Sequence, residues 1–154
     1  MLVNDAGQAV SFFSEQVPKQ WMDIFLAESK HPVFELELLP VTVALHVWEK
    51  ELQYCQGVFY LDNEAAKGAL IAGATPSDNG SWLVRSFTVR EMQCQLKVWF
   101  ARVPTSSNVA DKPSRLDVSE LTAEGVSRVT IEWEQLLELI RKFRSVNWGE
   151  GERD

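Results

Sequence analysis

The sequence contains few cysteines, few histidines and no surplus of basic residues. Its 154 residues include two cysteines and two histidines. Two cysteines are too few for a disulfide framework, and neither has the neighbouring ligands that a metal-site spacing requires. We therefore expect Cys55 and Cys94 to be reduced thiols in an intracellular protein, either cytoplasmic or nuclear.

The charge balance is acidic rather than basic. Lysine and arginine number 15 against 22 aspartates and glutamates, which gives a net charge of -7. A protein that binds nucleic acid mainly through a basic face normally carries charge of the opposite sign. Contact with nucleic acid would thus require a bound cation, a local basic patch or another domain.

Long hydrophobic runs are also missing. No stretch approaches the ~20 apolar residues of a membrane-spanning helix, and residues 1–5 lack the basic start of a signal peptide. Hydrophobic residues make up 45% of the chain and charged residues 24%, which is an ordinary globular composition. These features predict a globular domain with no membrane contact.

The start of the chain predicts a hairpin followed by a short helix. Residues 1–3 and 9–13 are expected to pair around a turn at residues 4–7, where aspartate and glycine favour a chain reversal. The helix should follow Pro18, with Trp21 on its buried side. The hairpin therefore occupies the first residues of the sequence.

A longer helix is predicted to end near Leu52, because its apolar residues recur at steps of three and four. Pro40 is acceptable only in the first turn of such a helix, where the missing amide has no partner anyway. The helix should therefore begin at Leu36 or Glu37. This start places Glu37 at the N-terminal end.

The rest of the chain alternates between strand and helix patterns. Strands are predicted at residues 57–61 and 97–103, helices at 64–71 and 81–95, a further strand at 128–131 and an amphipathic helix at 132–143. The side chain of Met92 is expected on the inner, buried side of the helix at 81–95. We favour core or groove-wall positions over base stacking for Trp48, Trp82 and Trp99. The alternation predicts an α/β fold with a mixed sheet.

Three carboxylates occupy special positions in this layout: Glu37 at a helix start, Asp62 at the end of a strand, and Asp111 after the loop that follows the next strand. Clustered carboxylates are hard to keep ionised unless cations bind them, and Mg²⁺ or Mn²⁺ suits an all-oxygen site. Structural alternatives stay open. Glu37 would then interact with the helix dipole, Asp62 would cap the next helix, and Asp111 would pair with Arg115.

Three segments resemble one family. Residues 37–45 (ELLPVTVAL) resemble the acidic helix start of ribonuclease H, and residues 58–66 (VFYLDNEAA) resemble its strand that ends in aspartate before a helix. Residues 99–115 (WFARVPTSSNVADKPSR) are similar to the closing segment of the ribonuclease H-like domains that follow reverse transcriptase in retroelements. The resemblance covers about residues 1–116 and leaves 117–154 as a C-terminal extension with an amphipathic helix.

The resemblance implies a ribonuclease H-like mixed sheet flanked by helices. It also implies a nuclease that uses Mg²⁺ or Mn²⁺ to hydrolyse the RNA strand of an RNA–DNA hybrid, with a reverse transcriptase domain as a candidate partner. The matching catalytic and metal-binding acids are Glu37, Asp62 and Asp111. Polar and basic residues near these acids are candidates for substrate binding, although the basic ones fit a solvated face equally well: Asn63, Arg102, Asn108, Lys112 and Arg115.

One departure from the family concerns its first acid, which lies on a strand before the hairpin. Here the hairpin begins at Met1, so we expect that strand to be missing or replaced, and Asp5 in the hairpin turn is a poor substitute. Three alternatives stay open: the flanking strands close up, the tail strand at 128–131 fills the gap, or the true protein begins upstream. We expect a truncated or degenerate copy with low or no activity. The alternatives are a non-catalytic ribonuclease H-like module that binds nucleic acid or protein, and a small soluble interaction domain unrelated to nucleases.

Overall fold

The N-terminal hairpin belongs to the first of two small sheets. A computed structural model describes residues 1–145 of the chain. The predicted hairpin is present as β1 (Leu2–Val3) and β2 (Ala9–Phe12), which pair antiparallel. On the other side of β2 lies β5 (Ser127–Arg128), which runs parallel to it, so this sheet is mixed. The tail strand is thus shorter than the predicted 128–131.

The second sheet consists of two parallel strands, β3 (Gln56–Leu61) and β4 (Lys97–Arg102). Parallel strands need a long crossover connection. Here the crossover contains α4 (Glu64–Ala72) and α5 (Asp78–Cys94), close to the predicted helices. The chain therefore has the mixed α/β architecture that the alternating patterns predicted.

The other helices surround these strands. None of the described helices is long and apolar enough to cross a bilayer. A short 3₁₀ turn covers Thr105–Ser107. The remaining α-helices are α1 (Lys19–Glu28), α2 (Val33–Val47), α3 (Glu49–Leu52), α6 (Asp111–Ser114), α7 (Ser119–Ala123) and α8 (Trp133–Ser145).

The start of α2 differs from the prediction. The helix begins at Val33, so Pro40 lies in its interior and not in its first turn. Glu37 consequently lies in the second turn, and its predicted position at the N-terminal end is wrong. Because the field of a helix end falls off within about one turn, this position also weakens the helix-dipole alternative for Glu37.

The first turn of α2 makes tertiary contacts with α5, and these explain why α2 begins at Val33 rather than at Leu36 or Glu37. The Phe34 ring packs so closely on Gly80 that a Cβ there would lie 2.7 Å from it. The buried Glu35 carboxylate accepts a hydrogen bond from Ser77 Oγ at 2.5 Å, and Ser77 in turn caps α5. These contacts offset the backbone hydrogen bond that Pro40 removes.

The C-terminal part of the described chain packs into the same core as the rest. Trp21 and Phe25 of α1 share one buried cluster with Leu136 and Ile140 of α8, so the amphipathic helix packs on the domain. The division at residue 116 stays a prediction. The end of the predicted extension, residues 146–154, lies outside the described residues.

The tryptophans divide between the core and the surface. Trp48 and Trp82 are buried as predicted, and Trp48 Nε1 donates to Ser11 Oγ at 2.8 Å, which ties α2 to β2. Met92 is exposed, so its predicted interior position is wrong. Trp99 is exposed as well, which contradicts a core position but not the groove-wall position that was its alternative. Side chains alternate along β4, and Trp99 lies on the face opposite the helices. Met92 lies near the end of α5, on a side that nothing in the described chain covers.

The two sheets stay separate. β1 does not pair with β3 within residues 1–145, and β5 joins β2 on the far side from β1. The flanking strands therefore do not close up, and the tail strand does not lie between them. Two of the three outcomes expected for the missing strand are thus wrong for this structure.

The close contact at Gly80 predicts opposite effects for two glycine substitutions. Gly80→Ala should lower the free energy of unfolding by about 1–3 kcal/mol, because the Phe34 ring must move. Gly68, inside α4, has nothing within 4 Å of an added Cβ. Gly68→Ala should raise the free energy of unfolding by about 0.5–1 kcal/mol. Urea denaturation measures both, and equal effects would contradict the close α2–α5 contact.

His46 should make stability depend on acid. Arg90 Nη2 lies 3.1 Å from His46 Nδ1, and burial together with the Arg90 charge lowers the pKa of His46 to about 4. The unfolded chain, with a histidine pKa of about 6.5, binds this proton first as the pH falls. The contribution of His46 to stability is therefore fully present above about pH 6.5, and it is lost as the pH falls towards about 4.

The histidine effect is measured as the difference in free energy of unfolding between wild type and His46→Gln. This difference should fall by about 1–3 kcal/mol from about pH 7 to about pH 4. The exposed His31 provides the control, because His31→Gln should leave the pH dependence of wild type in place. A His31 variant with the same effect would show that the dependence does not come from the His46–Arg90 contact.

Candidate functional site

The carboxyl ends of β3 and β4 form one edge of the second sheet. Leu61 lies opposite Arg102, and the Val103 N–H donates to the Leu61 carbonyl at 2.9 Å. The residues that follow each strand therefore leave the sheet at the same edge. Asp62 follows β3 directly, and the segment that contains Asn108 follows β4. Open α/β sheets often build ligand sites at this edge.

Asn108 connects the segment after β4 to Asp62. Its Nδ2 donates to Asp62 Oδ2 at 3.2 Å, and its Oδ1 accepts from the Ala110 N–H at 3.0 Å. The backbone carbonyl oxygen of Asn108 accepts from the Asp111 N–H at 3.0 Å. Both ends of the amide are used, so its orientation is held. The motif predicted that Asn108 lies near the site, but its bond to Asp62 is visible only in three dimensions.

Glu37 approaches Asp62 from α2. It is partly buried, and no hydrogen bond or ion pair holds its carboxylate within the described part of the chain. Burial, and secondly the negative charge of Asp62, raise the pKa of Glu37 above its ordinary value. The structure thus brings two of the three candidate acids within electrostatic range of each other.

The neighbouring Glu35 has a different environment. Its carboxylate is buried deeper than that of Glu37, but it accepts the hydrogen bond from Ser77 that joins α2 to α5. Glu35 therefore serves the packing of two helices. Glu37 lacks such a partner, and an exposed path to solvent leaves it available to a cation or a ligand.

Asp111 is engaged elsewhere. Arg115 Nε lies 3.2 Å from Asp111 Oδ2, which is the surface ion pair that the sequence left open as an alternative. Across residues 1–145, no three histidine, cysteine, aspartate or glutamate side chains are grouped closely enough to hold a metal ion. The Asp111 carboxylate is paired with Arg115, while the Asn108 backbone holds the start of α6 beside Asp62.

The basic candidates for substrate binding have acidic neighbours. Lys112 forms an ion pair with Glu120, and Arg102 Nε lies 3.7 Å from Glu64 Oε2. Both pairs are well exposed, and exposed pairs contribute little free energy. Phosphate groups can therefore compete for these cations, and their role in substrate binding, like that of Arg115, stays a prediction.

Asn63 caps α4 through its side-chain oxygen, and its role in substrate binding stays a prediction. Asn63 Oδ1 accepts from the Ala66 N–H at 2.9 Å. The alternative in which Asp62 caps this helix is therefore wrong. Since Asn63 performs the capping, the Asp62 carboxylate is left for Asn108 and for the electrostatic interaction with Glu37.

A cleft of about 550 Å³ has none of these acids among its lining residues. Sequence patterns did not reveal it, because its walls come from opposite ends of the chain. Arg128 in this cleft donates a hydrogen bond to the Ser14 carbonyl, so its guanidinium is already engaged. The lining residues are Ser14, Glu15, Gln16, Pro18, Leu116, Val118, Arg128 and Trp133.

No protein-family model matches the chain, and neither a curated protein nor a solved structure is significantly similar to it. The resemblance in residues 1–116 therefore rests on the short motifs described above. Function is inferred from those residues and from the geometry of the sheet edge.

The electrostatic interaction between the two acids predicts a shift in titration. Asp62→Asn should lower the pKa of Glu37 partway towards its ordinary value, because the like charge is removed while burial stays. Carbon-13 NMR titration of the Glu37 carboxyl measures this. Asp111→Asn is the matched control and should move the pKa of Glu37 less. An equal shift in both variants would mean that Asp111 acts on Glu37 as strongly as Asp62 does, contrary to its pairing with Arg115.

Proposed function

We propose that the chain is a ribonuclease H-like domain of retroelement origin that binds divalent cations and contacts the RNA strand of an RNA–DNA hybrid. The observation that supports this most directly is the group of Glu37, Asp62 and Asn108 at the carboxyl edge of two parallel strands. Each of these residues comes from a segment that resembles the family. The ribonuclease H-like fold that we propose is one specific arrangement within the mixed α/β architecture.

The donor set fits Mg²⁺ or Mn²⁺. Glu37 and Asp62 supply carboxylate oxygens, and Mg²⁺ is commonly held by one or two carboxylates with water and substrate phosphates completing its shell. A cation between them would relieve the repulsion that raises the pKa of Glu37. When bound, such a cation supplies an activated water and charge stabilisation at a phosphodiester.

The residues of the chain position this group. Asn108 holds one Asp62 oxygen through its amide, which leaves the other oxygen free to ligate. Arg102, Lys112 and Arg115 stand near the strand end and α6 and would contact the phosphates of the hybrid. Asp111 would join the ligands only if its ion pair with Arg115 opened.

We expect hydrolytic activity to be low or absent. The resemblance implies a first acid on a strand that precedes the hairpin. The third acid, Asp111, already forms an ion pair with Arg115. This pair favours the second candidate function, a non-catalytic ribonuclease H-like module that binds nucleic acid or a reverse transcriptase domain. For both candidate functions we propose an intracellular location, as the sequence predicts.

Titration calorimetry with Mn²⁺ tests the proposed site. Wild type should bind the ion with a defined stoichiometry, and Asp62→Asn or Glu37→Gln should weaken binding by about tenfold or more. The exposed Glu138 of α8 provides the control, since Glu138→Gln removes an equal charge far along the chain from the site. No stoichiometric binding, or equal weakening in the control, would favour an unrelated interaction domain.

Cleavage of a labelled RNA–DNA hybrid in Mg²⁺ and in Mn²⁺ distinguishes the two candidate functions. A slow activity that Asp62→Asn abolishes supports a weak nuclease. Hybrid binding without cleavage, retained in Glu37→Ala and Asp62→Ala, supports the non-catalytic module. Fast cleavage that none of these variants reduces contradicts both.

A further inference from the structure

The main chain of β3 is hydrogen-bonded to a strand on one side only. β3 and β4 form a sheet of two strands, and no other strand of the described chain pairs with either of them. At one end of this pair the Lys97 N–H donates to the Cys55 carbonyl at 3.0 Å. At the other end the Val103 N–H donates to the Leu61 carbonyl at 2.9 Å. Since every second residue of a parallel strand faces the same neighbour, the odd-numbered residues of β3 point their main-chain groups at β4.

The even-numbered residues of β3 present unpaired main-chain groups. Gln56, Val58 and Tyr60 direct their N–H and C=O groups away from β4, and none of these groups has a hydrogen-bond partner within residues 1–145. We call this row of groups the free side of β3. An extended chain carries donors and acceptors at the same spacing, so an unpaired strand is a template for another strand. The chemistry of the free side therefore selects a β-strand as its partner.

β3 lacks the features that usually prevent such pairing. Proteins protect exposed edge strands with charged residues, prolines or bulges. The six residues of β3 include no charge and no proline, and their register with β4 is continuous. β4 differs, because it carries Lys97 and Arg102. The free side of β3 is thus the unprotected side of this sheet.

The side chains beside the free side favour a partner strand that is also apolar. Val58 and Tyr60 are 50% and 66% exposed and lie on the same face of β3. An added strand would place alternate side chains of its own next to them. β3 itself has this composition, so a second copy of the strand meets the requirement.

We propose that the free side of β3 pairs with the free side of β3 in a second copy of the chain. An antiparallel pair about a two-fold axis at Val58 joins the copies through identical surfaces. In this register Val58 lies opposite Val58 of the second copy, and Gln56 lies opposite Tyr60 of the second copy. Two sheets of two strands thereby become one sheet of four, in the order β4, β3, β3, β4.

Charge is compatible with this dimer although the chain is acidic. β3 brings no like charges to the new strand pair. The antiparallel direction also carries the two copies of Asp62 to opposite ends of the sheet, about 27 Å apart along the strands. Main-chain pairing needs no divalent cation, so association in EDTA reports on the free side of β3 and Mn²⁺ titration reports on the acids.

Sedimentation equilibrium in EDTA tests the dimer. Wild type should show an equilibrium between monomer and dimer. Val58→Pro should weaken dimerisation by about tenfold or more, because each copy loses one N–H that donates across the axis. The monomer should stay folded, since this N–H points away from β4 and proline is tolerated at such positions.

A charge substitution provides a matched control. Val58→Lys should also weaken the dimer, because two ammonium groups then face each other across the axis. Val10 is an exposed valine in β2, a strand of the other sheet. Val10→Lys makes the same change there and should leave dimerisation unchanged. Thermal melting checks that each variant is folded.

Cysteine cross-linking tests the register. The Cα atoms of a hydrogen-bonded antiparallel pair lie about 5.5 Å apart, which is within the range of a disulfide. Val58→Cys should therefore form a covalent dimer under mild oxidation. Gln56→Cys and Tyr60→Cys should cross-link with each other when mixed but not when alone. Wild type supplies the baseline for the native Cys55 and Cys94.

Three results would overturn the proposal. The first is a wild-type chain that stays monomeric at the highest concentration tested, even if it binds a synthetic peptide of residues 55–62, which would mean that the free side accepts a strand but not a second copy. The second is a dimer that a folded Val58→Pro variant leaves intact. The third is equal weakening by Val58→Lys and Val10→Lys, which would place the interface elsewhere.

Discussion

The parallel pairing of β3 and β4 is the constraint on which the rest of the structure depends. It places the ends of both strands at one edge, where Asp62 and Asn108 meet. The same pairing sets the alternation of side chains, so that Phe59 packs on α5 while Tyr60 points to the other side. The candidate site and the burial of one sheet face therefore follow from one register of main-chain hydrogen bonds.

The charge of the candidate site reconciles an acidic chain with the proposed nucleic-acid ligand. At the strand edge, Glu37 and Asp62 repel each other, and a divalent cation would convert that repulsion into affinity for phosphate. Net charge thus describes the whole chain but not the surfaces on which a polyanion would lie.

Much of the fold was predictable because local patterns determined it. The hairpin, both parallel strands and the crossover helices occupy nearly the predicted positions, since each has its own periodicity or turn residues. The prediction for α2 was wrong because the rule for Pro40 considers one helix alone. Contacts of Phe34 and Glu35 with the start of α5 outweigh that local rule.

The candidate site was predictable only in part. The motifs grouped Glu37, Asp62 and Asp111 as metal ligands, with Asn108 near the last acid. The structure shows Asn108 bonded to Asp62, and it shows Asp111 in the ion pair with Arg115 that was one alternative among several. Sequence patterns left Trp99 with a core or a groove-wall position, and the structure places it on an exposed face of β4. Which face of a strand is covered depends on the elements that pack against it, and a strand pattern does not contain that information.

Local sequence alone thus determined which segments form helices and strands, the excess of acid over base, and the order of the candidate ligands along the chain. Tertiary structure decided which carboxylates meet, which of them are already paired, and which face of the sheet stays open. The physical reason is one of range: periodicity and capping act over a few residues, whereas charge repulsion and burial depend on residues far apart in sequence.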